Sequence, residues 1–114
     1  MAFDHGLALR VRALTAGEGA VEQHLFGGLG FFDRGHLFAG VIGTELVVRV
    51  GVLAYPEAQS LPGARPFDYP GKPMRGWVYV AAAAVASDAD LRAWLARGLA
   101  FTATLPAKGA RPRA

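Results

Sequence analysis

Four groups of residues in this 114-residue chain have the types and spacing to do chemistry. Asp33, Arg34 and His36 place a carboxylate beside an imidazole, the pairing that general acid–base catalysis uses. Arg49, Lys72 and Arg75 are cations in or beside a segment that also carries Met74 and Trp77; such a set can hold a carboxylate, a phosphate or an acidic protein surface. Gly27-Gly28-Leu29-Gly30 offers consecutive backbone amides of the kind that cradle an anion. Lys108, Arg111 and Arg113, at the basic end of the chain, can add salt-sensitive affinity for phosphates.

Each group also has a structural reading. Asp33, Arg34 and His36 bracket Gly35 in what reads as a tight hairpin, and no nucleophile accompanies them, so turn chemistry accounts for them. Ser60, Ser87, Thr15, Thr44, Thr102 and Thr104 have no nucleophile-elbow context, and no catalytic residue is assigned. The Gly27-Gly28 segment lacks the following helix of a dinucleotide fingerprint or a P-loop. Gly27 and Gly28 therefore read as structural glycines, as do Gly35, Gly71 and Gly76. The chain has no cysteine, which excludes disulfides, thiolate nucleophiles and cysteine-held metals. His5, His24 and His36 are 19 and 12 residues apart, without the spacing of a helical metal site, so neither a metal nor a cofactor is expected. The segment from Gly71 to Trp77 keeps two readings open. Either Met74 and Trp77 fill the core beneath solvated cations, or Arg49, Lys72, Met74, Arg75 and Trp77 together form an interaction surface.

The elements that must position these residues are marked by period. Phe3, Leu7, Val11 and Leu14 recur at helical spacing, with Gly17 as the expected stop. Val21 to Phe26, Leu29 to Phe32, His36 to Ile42 and Leu46 to Val50 read as strands of an antiparallel meander, joined at Gly27-Gly28, Asp33-Arg34-Gly35 and Gly43-Thr44-Glu45. Arg49 interrupts the last of these on the face opposite Leu46, Val48 and Val50. Val52 to Leu61 suits a short helix with Pro56 in its first turn. Arg65 to Asp68 reads as a brief extended piece, Tyr69 to Pro73 as a loop, and Trp77 to Val80 as the clearest remaining strand. Ser87-Asp88-Ala89-Asp90 has the composition of a helix start, and Leu91, Trp94, Leu95, Gly98, Leu99, Thr102 and Leu105 continue at helical spacing. This order predicts an α+β fold: an antiparallel sheet of about five strands packed against an N-terminal and a long C-terminal helix, with a short helix between strands.

Composition bounds the rest. A hydrophobic fraction of 53% suffices for one core, and the length allows one domain, expected over 1–105 with a basic disordered tail over 106–114. No run approaches the roughly 18 residues of a membrane span. The start of the chain lacks the pattern of a secretory signal, so a cytoplasmic location is expected. The formal net charge is +3. Three of the twelve basic residues lie in the tail, which leaves the body balanced at nine basic and nine acidic residues.

Phe26-Gly27-Gly28, Gly43 to Gly51 and Gly71 to Val80 occur in the order seen in the TfoX/Sxy N-terminal domain, which the chain resembles from about Phe3 to Leu105. Gly98-Leu99-Ala100-Phe101 resembles that family's closing helix; Leu25 departs from it, at a position where related sequences usually carry methionine. The resemblance implies a two-layer α+β fold and a noncatalytic regulatory or protein-interaction domain connected with bacterial competence and transcriptional regulation. No room remains after Leu105 for the second domain of the full-length competence regulators, so roles that need that domain do not transfer. A protein partner is expected, with self-association through a sheet edge or the Lys72 to Trp77 loop as one form. Two alternatives stand beside it. One is a nucleic-acid accessory module using Arg49, Lys72, Arg75 and the tail. The other is a small-ligand binder or enzyme with His24 or His36 as its titrating group.

Overall fold

A computed structural model describes residues 3–25, 27–68 and 74–106. Helix α1, His5–Leu14, begins where the Asp4 carboxylate accepts hydrogen bonds from the amides of Gly6 (2.8 Å) and Leu7 (3.2 Å), which otherwise have no helical partner. It buries Leu7, Ala8 and Val11 and ends at Thr15, whose hydroxyl donates to the Val11 carbonyl at 2.8 Å. The expected stop at Gly17 is corrected: Gly17 lies inside a 3₁₀ turn, Ala16–Glu18, and the left-handed residue that terminates it is Gly19.

The meander follows as β1 (Val21–Leu25), β2 (Gly28–Asp33), β3 (His36–Ile42) and β4 (Glu45–Arg49), each antiparallel to the next. Arg34 and Gly35 join β2 to β3 with φ of 51° and 87°, the two-residue connection whose twist matches that of its strands. Only Tyr55–Ala58 of the segment expected as a short helix becomes helical (α2), with Pro56 in its first turn. The chain then crosses to the far edge as β5 (Ala64–Pro66) and returns as β6 (Trp77–Val80) between β5 and β4. The brief extended piece thus makes a sixth strand, and the order across the sheet is β1-β2-β3-β4-β6-β5.

Helix α3, Asp88–Thr102, starts at Ser87, whose hydroxyl accepts from the Asp90 amide at 3.1 Å. The two long helices share one face of the sheet. Against them lie the registered rows Leu29, Val41, Leu46, Val80 and Phe31, Ala39, Val48, Val78, all buried with Leu7, Val11, Leu91 and Leu95. At about 1.5–3 kcal/mol for each fully buried large apolar side chain, these rows dominate the stability of the fold. Arg10 joins α1 to the start of α3, donating to the Val85 carbonyl at 2.9 Å and to the Asp88 carboxylate at 3.1 Å.

Gly98 sets how closely α3 approaches the sheet. A Cβ there would come within 2.5 Å of the Phe38 carbonyl oxygen and 3.3 Å of a Val48 methyl. Where the helical stripe crosses β3 and β4, only glycine fits. On the opposite face, Arg65 of β5 reaches over the Tyr79 ring to Glu45 of β4, with Nη2 2.8 Å from Oε1. Hydrogen bonds from Arg65 hold the Glu45 carboxyl below its ordinary value, and those from Arg12 do the same for Glu22 on β1.

Candidate functional site

Register places Arg49 directly across from Trp77 on neighbouring strands. Period two turns both away from the helical layer, at the end of the sheet where α3 runs out. The Arg49 guanidinium carbon lies 5.4 Å from the Trp77 ring centroid and 5.1 Å from that of Phe101. It is stacked on two rings and has neither an ion-pair nor a hydrogen-bond partner among the described residues. Such stacking stabilises a cation without consuming its N–H donors, which stay directed at whatever approaches.

The loop after β4 is bound to the turn before β6. The amides of Val50 and Gly51 both donate to the Gly76 carbonyl, at 2.8 and 3.0 Å. Gly76 has φ of 95°, and a Cβ on it would lie 3.2 Å from the Gly51 carbonyl carbon and the Val52 nitrogen. The two backbones are therefore in contact, with the Phe101 ring against Gly51 on the other side. Held this way, the loop turns Val52 and Leu53 outward; Leu53 is 99% exposed and Val52 55%. Between this loop and the last turns of α3 runs an open groove of about 680 Å³, with Arg97 and Phe101 of α3 and Thr104 just beyond it along one wall. Arg97 lies 3.6 Å from Glu57 and stacks on Trp94.

Of the residues singled out from sequence, Arg49 and Trp77 meet, and Met74 and Arg75 stand in the adjoining turn. Met74 is half-buried, its amide donating to the Phe67 carbonyl at 2.8 Å and its carbonyl accepting from the Trp77 amide at 3.1 Å. Arg75 is exposed and has no side-chain partner among the described residues. Lys72 and Gly71 lie outside the described residues, as does the tail from 107 onward. Gly27, Gly35 and Gly76 have positive φ, whereas Gly28 is extended and lies so near β3 that a Cβ would meet the Val41 carbonyl oxygen at 2.2 Å.

Trp77 combines both of its readings. It is half-buried, with one side near Phe67, at 6.2 Å between centroids, and the Arg49 guanidinium over its ring. Trp77→Ala is therefore expected to lower stability by about 2 kcal/mol, less than a fully enclosed aromatic truncation. A urea melt checks this, and an unchanged midpoint would place the ring wholly on the surface.

Sequence reasoning did not single out Phe101, Val52 or Leu53 for the site. Arg97, Phe101 and Thr104 do recur at helical spacing, but that stripe becomes a wall only because the loop of Val52 and Leu53 folds beside it.

Asp33, Arg34 and His36 gather around the end of α3. Asp33 Oδ2 accepts from the Thr102 hydroxyl at 3.0 Å, Arg34 donates to the carbonyls of Leu105, at 2.9 Å, and Thr102, and His36 Nε2 donates to the Pro106 carbonyl at 2.6 Å. The hydroxyls of Thr15, Ser60, Ser87 and Thr104 are engaged in turns or caps with nearby backbone. Among the described residues no three metal-ligating side chains converge, and no helix is long and apolar enough to cross a membrane.

Comparison with curated proteins and with solved structures gave no match. The profile of the TfoX N-terminal domain matches residues 12–102, a span that takes in the last turn of α1, the whole sheet and all of α3. With the glycine-marked meander and the closing helix in place, the chain belongs to the TfoX N-terminal domain family.

Proposed function

We propose that this domain is a noncatalytic protein-interaction module serving the regulatory role that its resemblance implies, competence and transcription included, and that its contact face is the groove beside Val52 and Leu53. The observation that carries this reading is an exposed apolar pair next to cations with no acidic partner. Leu53 is 99% exposed, while Arg49 and Arg75 lie on the same end of the sheet without counter-charges among the described residues. An exposed large aliphatic pair beside a groove is a feature of docking sites. Unpaired arginines on the rim select acidic partners and speed encounter. The engagement of the Asp33, Arg34 and His36 groups in holding α3 supports the noncatalytic part of the reading.

The test is Leu53→Asp combined with Arg75→Glu, compared with the parent for proteins captured from an extract of the source cell. Both residues are exposed, so the thermal transition is expected to stay within about 0.5 kcal/mol of the parent. Capture of the specific partner is expected to fall at least about tenfold. Equal capture by parent and variant would overturn the reading. So would duplex-DNA binding that persists at moderate salt and disappears in Arg49→Glu with Arg75→Glu, which would assign the surface to nucleic acid.

A further inference from the structure

We propose that a second copy of this chain docks on β1, so that two six-stranded sheets join into one of twelve strands. This surface is separate from the groove, and the inference does not rest on the reading given above.

The two edges of the sheet differ. The outer strand at one end, β5, has three residues, one of them Pro66, and its Arg65 is engaged with Glu45 and Tyr79. Shortness, proline and charge are the devices that keep an edge from pairing. The strand at the other end, β1, has five residues and neither proline nor lysine. Its register with β2 is unbroken from Val21↔Phe32 to Leu25↔Gly28. Among the described residues no strand pairs with its outer edge, so its outward backbone groups form an open row.

The sequence of β1 complements itself. Antiparallel pairing about Gln23 sets Val21 against Leu25, Glu22 against His24, and Gln23 against Gln23 of the second copy. The Glu22–His24 pair occurs twice because the contact is symmetric. Gln23 and His24 are both exposed and accessible to such a partner.

Apolar surface lies along the same edge. Arg12 of α1 donates to Glu22, with Nη2 2.8 Å from Oε1, and the Phe3 ring lies 4.6 Å from His5 and 5.9 Å from His24. The helical stripe of His5, Leu9 and Arg12 therefore overhangs β1. Leu9 is 58% exposed and Val21 65%. Of the four large exposed apolar side chains among the described residues, these two border the β1 edge, and Val52 and Leu53 border the groove. A two-fold axis normal to the sheet keeps both helical layers on one side and brings the two α1 helices together at Leu9. Strand pairing supplies the backbone bonds and sets Val21 beside Leu25 on the face away from the helices, and the α1 contact covers Leu9 on the helical face.

Because the chain has no cysteine, one introduced thiol reports this geometry directly. Sedimentation equilibrium of the parent is expected to show twice the chain mass, and oxidised Gln23→Cys a disulfide-linked dimer, since directly opposed residues in such a pair lie within disulfide reach. Leu53→Cys should stay largely unlinked under the same oxidation. His24→Glu sets like charges opposite each other twice and should raise the dimer dissociation constant about tenfold, whereas His24→Lys should not weaken the dimer. Reduced Gln23→Cys and His24→Glu should melt with the parent, which separates loss of pairing from loss of fold. A parent that stays monomeric across the concentration series, or cross-linking of Leu53→Cys in place of Gln23→Cys, would overturn the proposal.

Discussion

Gly98→Leu is expected to abolish the cooperative thermal transition of the domain. Even the first carbon of the new side chain would stand 2.5 Å from the Phe38 carbonyl oxygen, well inside the roughly 3.3 Å at which carbon and oxygen settle. The obstacle is strand backbone, which cannot rotate aside as a side chain can. To admit the leucine, α3 must lift from β3 and β4, and Leu91, Trp94 and Leu95 lose their burial with it. Overpacking costs about 1–3 kcal/mol, and each large apolar side chain unseated adds about 1.5–3 kcal/mol. The total is comparable with the whole stability of a small domain, about 5–15 kcal/mol. Gly98→Ala is the milder control. It gains about 1 kcal/mol of helix propensity but keeps the contact with the carbonyl, and a net loss of about 1–2 kcal/mol is expected. Circular dichroism followed against temperature and urea reads both variants. A Gly98→Ala protein that melts above the parent would mean that α3 does not approach the sheet this closely.

The second large effect is expected at Asp33. Its carboxylate, 15% exposed, accepts from the Thr102 hydroxyl at 3.0 Å and from Arg34 Nε at 3.3 Å. Arg34 in turn covers the carbonyls at the end of α3, where a cation is favoured by the helix dipole. It does so from a left-handed φ of 51°, a conformation that costs a residue with a Cβ about 1–2 kcal/mol. Asp33→Ala removes the acceptor that holds both partners and is expected to destabilise the domain by about 1.5–3 kcal/mol, the range for hydrogen bonds to a charged group. In a double-mutant cycle, Asp33→Ala and Thr102→Val should be coupled by about 1 kcal/mol. Strict additivity would show that the Asp33–Thr102 bond contributes nothing to stability.

Much of the fold was legible in the sequence because the relevant interactions are local. His36–Ile42 and Trp77–Val80 form as strands with the bounds that period and turn residues mark. Ser87 caps α3 through an amide three residues away. Legibility declined where a partner from elsewhere in the chain intervened. The segment expected as a helix from Val52 to Leu61 shrank to Tyr55–Ala58 and follows a loop in which the amides of Val50 and Gly51 are bonded to Gly76. The brief extended piece counted as a sixth strand only once β6 accepted it.

By itself, then, the sequence determined the kind of each major element, the hairpin at Arg34-Gly35, the family and the set of residues with chemical potential, since each of these depends on neighbours along the chain. Tertiary structure alone decided how those residues are used. It stacked Arg49 on Trp77 and Phe101, which are 28 and 52 positions away in the chain, and it tied Asp33, Arg34 and His36 to the end of α3. It also set Val52 and Leu53 on a groove wall and left β1 as the open edge. Such contacts arise from the crossing of α3 over the sheet and the insertion of β6 beside β4, and their distances depend on packing that no local spacing encodes.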